Sequence, residues 1–203
     1  MWKDEAYKKY YLTENYRNAP NIIKFADNLL LSMKQFSPAA IPMKTKMGLI
    51  VGDVNEPILF EDALEDLEDS KNWGSWFILT RTNNELAVAQ KMLDERGIPN
   101  VTFKKADLDM VELEILMSVN RVKVLTIHSA KGLENKNVIV CGARRYSEEE
   151  RRISYVAATR AENSLYWCAP IAKRNHKHHY LPTSAEGGKF FDKTAQEMLS
   201  FED

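Results

Sequence analysis

Apolar residues along this 203-residue chain recur in two rhythms. From Asn21, the positions Ile22, Ile23, Phe25, Ala26, Leu29, Leu30 and Met33 keep helical spacing, with Pro20 in the first turn, where a missing N–H costs nothing. Gly48–Asp53 and Pro57–Phe60 have strand character around an Asn-Glu turn, and the acid-rich stretch 61–69 predicts a helix. Trp76–Thr80 is of buried-strand length. The helix expected after it carries Leu86, Ala89, Met92 and Leu93 on one face and closes at Gly97. Beyond lie a strand at Val101–Phe103, a helix over 107–118, a strand over 122–127, a turn over 128–134, a strand over 137–141, a helix over 148–160 and a strand over 164–168. Strands that alternate with helices, several of them apolar throughout, predict an α/β fold with a mainly parallel sheet covered by helices on both faces. No repeat or low-complexity linker interrupts it, so one domain is expected over 1–170. A polar tail follows over 171–203, with a terminal helix over 187–201.

Composition narrows the picture only slightly. An apolar fraction of 44% suits a globular chain, and a net charge of −1 gives no global signature for nucleic acid. Residues 1–47 carry eight Lys or Arg against four Asp or Glu, whereas 53–69 carry eight acids and no base, so any DNA-facing surface must be a local patch. Cys141 and Cys168 lie in apolar runs and read as buried thiols rather than a disulfide or zinc framework. No apolar run approaches the roughly 20 residues that span a bilayer, which leads to the expectation of a cytoplasmic protein with no membrane partner. The histidines of His176–His179 are adjacent rather than at ligand spacing, so no metal site is expected there.

Three blocks hold the candidate chemistry. Thr126-Ile-His-Ser-Ala-Lys-Gly-Leu-Glu134 places a Lys-Gly turn at a strand end, and Glu149-Glu-Arg-Arg-Ile-Ser-Tyr-Val-Ala-Ala-Thr-Arg-Ala161 puts arginines on the following helix. Parts of this kind can assemble a phosphate-handling site. Together they resemble the fifth and sixth motifs of the UvrD/Rep family of superfamily 1 DNA helicases. Leu12-Thr-Glu-Asn-Tyr-Arg17, just before the first helix, resembles the fourth. The resemblance implies that Tyr16 packs on an adenine and Arg17 reaches the terminal phosphate, roles suited to an aromatic face and a bidentate guanidinium. It implies that Gly132 permits the turn, Glu134 accepts from the ribose, Arg160 is an arginine finger and Arg152 supports it. By the same resemblance Arg81, Thr82, Asn83, Thr126 and His128 lie along single-stranded DNA. Simpler readings stand beside these: Thr82 or Asn83 caps a helix, and Glu148–Arg151 forms a solvated face of weak ion pairs.

Other family features are missing. No Gly-x-x-x-x-Gly-Lys-Ser/Thr occurs, since Gly188-Lys189 is followed by Phe190 and lacks the upstream glycine. The expectation is therefore a second RecA-like domain without the P-loop. ATP and Mg2+ would be held mainly by an N-terminal RecA-like partner domain, and this chain alone would be inactive. Only about twenty residues join the 98–104 strand to the fifth motif, where larger members insert a helical subdomain. Asn135 stands where the family has an aromatic residue, which predicts looser packing after Glu134. The competing expectation is a non-catalytic helicase-like module that binds DNA or protein.

Overall fold

Polar caps set where three of the helices start. Thr82 and Glu85 form a capping box at the head of one helix, Asp109 and Glu112 form another, and Ser147 caps a third. The computed structural model describes residues 13–31, 33, 40–143 and 147–171. In chain order these run β1 (Glu14–Asn15), α1 (Pro20–Asn28), β2 (Ile41–Pro42), β3 (Leu49–Val51), α2 (Phe60–Ser70), β4 (Trp76–Thr80) and α3 (Asn83–Glu95). There follow β5 (Asn100–Val101), α4 (Met110–Ser118), β6 (Val122–Thr126), β7 (Asn135–Cys141), α5 (Glu148–Ala158) and β8 (Ala161–Cys168).

Six strands form one sheet in the order β3-β8-β7-β4-β6-β5, with every pairing parallel. Strict alternation gives it two buried faces. Phe77, Leu79, Leu125, Val138, Val140, Leu165 and Trp167 join α1, α5 and residues 127–133 in one core. Trp76, Ile78, Val122, Val124, Ile139 and Tyr166 join α2 and α3 in the other. The α/β class, the parallel sheet and helices on both faces therefore match the expectation. β1 and β2 form a separate two-stranded parallel pair that the apolar pattern did not suggest.

Several boundaries differ. Pro57–Phe60 is no strand: Ile58 makes a single bridge to Cys168, and Leu59 already caps α2, so the ladder closes after one residue. α1 ends at Asn28 rather than Met33, although Leu29 and Met33 stay buried. The strand near 101–103 is confined to Asn100–Val101. α5 stops at Ala158, and β7 and β8 begin at Asn135 and Ala161, earlier than their apolar runs, because backbone pairing does not need apolar side chains. Apart from Ile171, the expected tail with its terminal helix and its histidines lies outside the described residues.

Candidate functional site

A wholly parallel sheet puts all strand starts on one edge and all strand ends on the other. Segments 15–19, 133–134 and 159–162 meet at the amino edge. Asn18 is the joint. Its buried amide donates to the carbonyls of Thr159 (3.0 Å) and Ala161 (2.6 Å), which flank Arg160, and the Ala19 N–H donates to Glu162 O (2.9 Å). Asn15 Oδ1 accepts from the N–H groups of Arg17 (3.0 Å) and Asn18 (2.9 Å), folding the loop into a turn that leaves Tyr16 66% exposed.

Arg17 forms an ion pair with Glu134, which precedes β7. Arg160 lies beside them, just past the end of α5. Its Nε donates to Val156 O (3.0 Å), Nη1 to Leu133 O (3.1 Å) and Nη2 to Thr159 Oγ1 (3.3 Å). Burial, and next the positive field of Arg17, lower its pKa from the ordinary arginine value, with Glu134 opposing. Two guanidinium groups thus stand at this edge beside one half-exposed carboxylate, and guanidinium groups suit an anion.

The carboxyl edge holds the other group. Thr80 and Thr126 are register partners, so residues 81–83 and 127–128 leave neighbouring strands side by side. Asn83 and His128 are exposed there. Arg81 is engaged: its Nε (2.9 Å) and Nη2 (2.6 Å) grip the two carboxylate oxygens of Glu150. The Thr82 hydroxyl accepts from the Glu85 N–H (3.2 Å), and Thr126 Oγ1 accepts from the Ser129 N–H (3.2 Å), so both serve local turns. The seven residues of β7 put the two edges about 20 Å apart. Residues 127–134 run from one to the other along the sheet face, with Ile127, Ala130 and Leu133 buried and Gly132 turning at φ +78°.

Arg152 is not brought to the amino edge. It is exposed, pairs with Glu148 at 3.8 Å within its own helix, and lies eight residues from Arg160, about 12 Å along a helix axis. Asn135 does not loosen its surroundings as expected: its amide donates to Gly74 O (3.1 Å), an acceptor shared with the buried Lys123 ammonium (3.1 Å). Sequence reasoning also missed Asn18 and Glu85. The Thr-x-x-Glu spacing of a capping box was signal enough for Glu85. Nothing local singles out Asn18, whose partners are 141 and 143 positions away. No group of three or more His, Cys, Asp or Glu side chains that could hold a metal occurs among the described residues. None of their helices is long and apolar enough to cross a membrane.

Residues 102–169 match the family described as the UvrD-like helicase C-terminal domain. Over this region the chain is similar to UvrD-like helicase C-terminal domains. It is 33% identical over 110 residues to a probable DNA helicase II homolog of Mycoplasma capricolum, an alignment covering 48% of this chain and 14% of that protein. It is 25% identical over 169 residues to the ATP-dependent DNA helicase Rep of Buchnera aphidicola, covering 73% and 23%. The chain thus spans less than a quarter of the length of either relative. A crystal structure of the C-terminal domain of a possible DNA helicase from Lactobacillus plantarum aligns with 78% of the chain and 90% of its own, with a TM-score of 0.49 at 21% identity. The UvrD-like match takes in β6 to β8 with Glu134 and Arg160, whereas Tyr16, Arg17 and Arg81 to Asn83 precede it.

Proposed function

We propose that this UvrD-like domain is the second motor domain of an ATP-dependent DNA helicase. Its ATP would lie between the amino edge and a P-loop domain elsewhere in the complete protein. The observation that carries this is the convergence of Arg17, Glu134 and Arg160 from three separate segments onto one edge. Tyr16 offers a base an exposed aromatic face. Glu134 suits a ribose hydroxyl, and Arg17 and Arg160 suit phosphate oxygens. The Arg17–Glu134 pair is half exposed on both sides, and pairs of that kind contribute only about 0–1 kcal/mol, so a nucleotide displaces it readily. Arg160 differs because three hydrogen bonds to its own fold preset its direction. Positive charge held in place where phosphoryl transfer develops negative charge is worth roughly 10³–10⁵ in rate in other NTPases. Mg2+ would sit with the P-loop domain.

The carboxyl edge then forms part of a track for single-stranded DNA, with Asn83 and His128 at its surface. Residues 127–134, packed rigidly between the edges, tie the phosphate contacts to that track. A non-catalytic module would account for the carboxyl edge, but it gives no reason to hold two guanidinium groups against each other at the amino edge.

Two measurements test the proposal. The purified 203-residue chain should hydrolyse no ATP above background; robust turnover would sink the shared-site reading. In the complete enzyme, Arg160→Ala should lower kcat by about 10³ or more with a much smaller change in nucleotide affinity. Arg160→Lys should not rescue it, because an ammonium cannot reproduce the planar fork. Asn83→Ala with His128→Ala should impair DNA-stimulated ATPase while sparing basal hydrolysis.

A further inference from the structure

Arg17 and Arg160 reach the amino edge from distant segments, and Arg160 lies in the positive field of Arg17. Like charges at such range repel, so a neutral tie between the two segments has to impose their spacing. Asn18 meets that requirement. It directly follows Arg17, it is 1% exposed, and its amide donates to the carbonyls on either side of Arg160, Thr159 O at 3.0 Å and Ala161 O at 2.6 Å. Asn15 Nδ2 donates to Asn18 Oδ1 (3.0 Å) and so fixes which end of the amide faces the two carbonyls. We propose that Asn18 is a positioning residue for phosphoryl transfer, holding the Arg17 and Arg160 guanidinium groups at the separation that spans the phosphate chain. The inference rests on the ATP site proposed above.

The Arg17–Glu134 pair cannot keep this spacing once a nucleotide displaces it, because it is half exposed. The Asn18 contacts are buried, out of a phosphate's reach. They are also separable from folding. The Ala19 N–H bond to Glu162 O (2.9 Å) and the buried Ile22 and Ala26 dock α1 without the Asn18 side chain. A substitution at 18 therefore leaves the loop in place and lets only its alignment with Arg160 relax. Small drifts matter at such a site, since a displacement of about 1 Å can cost about 10² in rate.

In the complete enzyme, Asn18→Ala should lower kcat by about 10- to 100-fold while nucleotide affinity stays within about threefold. On an Arg160→Ala background it should lower kcat no further, because a residue that acts through Arg160 then has nothing left to position. Asn15→Asp removes the bond that orients the Asn18 amide but keeps the acceptor for the Arg17 and Asn18 N–H groups. It should lower kcat in the same direction by less, and it carries the test if Asn18→Ala does not fold. In the 203-residue chain, the Arg160 Nε–H resonance should shift in Asn18→Ala, with that of Arg81 at the other edge as the unmoved control. Losses that multiply in the Asn18→Ala/Arg160→Ala double variant overturn the proposal, since a general loss of stability would give them. So does an unmoved Arg160 resonance. Unchanged kcat in the Asn18 and Asn15 variants beside an impaired Arg160→Ala overturns it too, and leaves the shared ATP site standing. A normal kcat in Arg160→Ala defeats the shared site itself, and the role of Asn18 with it.

Discussion

Arg81→Ala should cost this fold more stability than any other substitution at the candidate DNA edge. Arg81 follows β4 and Glu150 sits in the first turn of α5, 69 positions apart, and their side chains are 21% and 7% exposed. Removing the guanidinium strands a buried carboxylate, which typically costs about 3–5 kcal/mol. Glu150 keeps some support from the first turn of α5, where the helix dipole returns up to about 1 kcal/mol, so about 3 kcal/mol is expected. For a chain of this length that is a drop of roughly 6–12 °C in Tm. Glu150→Gln should cost less, about 1–2 kcal/mol, because the arginine left behind still reaches water. Replacing both residues with methionine removes the buried charge and should come close to the wild type. Urea and thermal unfolding of the two single variants and of the Arg81→Ala/Glu150→Gln double variant, followed by circular dichroism, give the cycle, and a coupling energy of about 2 kcal/mol is expected. If the two single substitutions proved additive, or Arg81→Ala fell within about 0.5 kcal/mol of the wild type, the account of this ion pair would fail. The same cycle bears on DNA, since Glu150→Gln weakens the grip on the Arg81 guanidinium. If Arg81 belongs to the track, that variant binds single strands more tightly than the wild type.

Two further expectations concern the sheet ends. Gly142 has φ +70°, and a Cβ there would stand 2.6 Å from Glu85 Oε1, so Gly142→Ala should destabilise by about 2 kcal/mol or more, and unchanged unfolding would refute the packing argument. Lys123 is fully buried, its ammonium donates to the carbonyls of Gly74 and Val119, and burial lowers its pKa from 10.5. Between its lowered folded value and 10.5 the unfolded chain binds more protons, so wild-type stability relative to Lys123→Met should rise as pH climbs through that window. A flat or falling difference in pH-dependent denaturation would contradict it.

Much of the architecture was legible because it depends on local rules. The run Trp76–Leu79 is apolar throughout and wholly buried, and only a sheet buried on both faces accommodates that. Gly97 ended α3 as its missing side chain suggests, with φ +67°. The three motif blocks could be found because their residues are adjacent in sequence. What the blocks assemble was not legible. Arg17 meets Glu134 because Asn18 reaches across 141 residues to the backbone beside Arg160, and a contact of that range leaves no local trace.

Tertiary structure also divided residues that looked alike. Arg152 and Arg160 share a block, yet the end of α5 and the start of β8 carry Arg160 to the amino edge while Arg152 stays with Glu148 on an exposed face. Arg81 looked free to meet DNA until the fold set Glu150 against it. Periodicity and capping are properties of a few neighbouring residues, so the sequence alone determined the main helices and sheet strands and which way their apolar faces turn. Partner choice for a charged side chain depends on which distant segment the sheet order brings alongside, and only the fold could decide that.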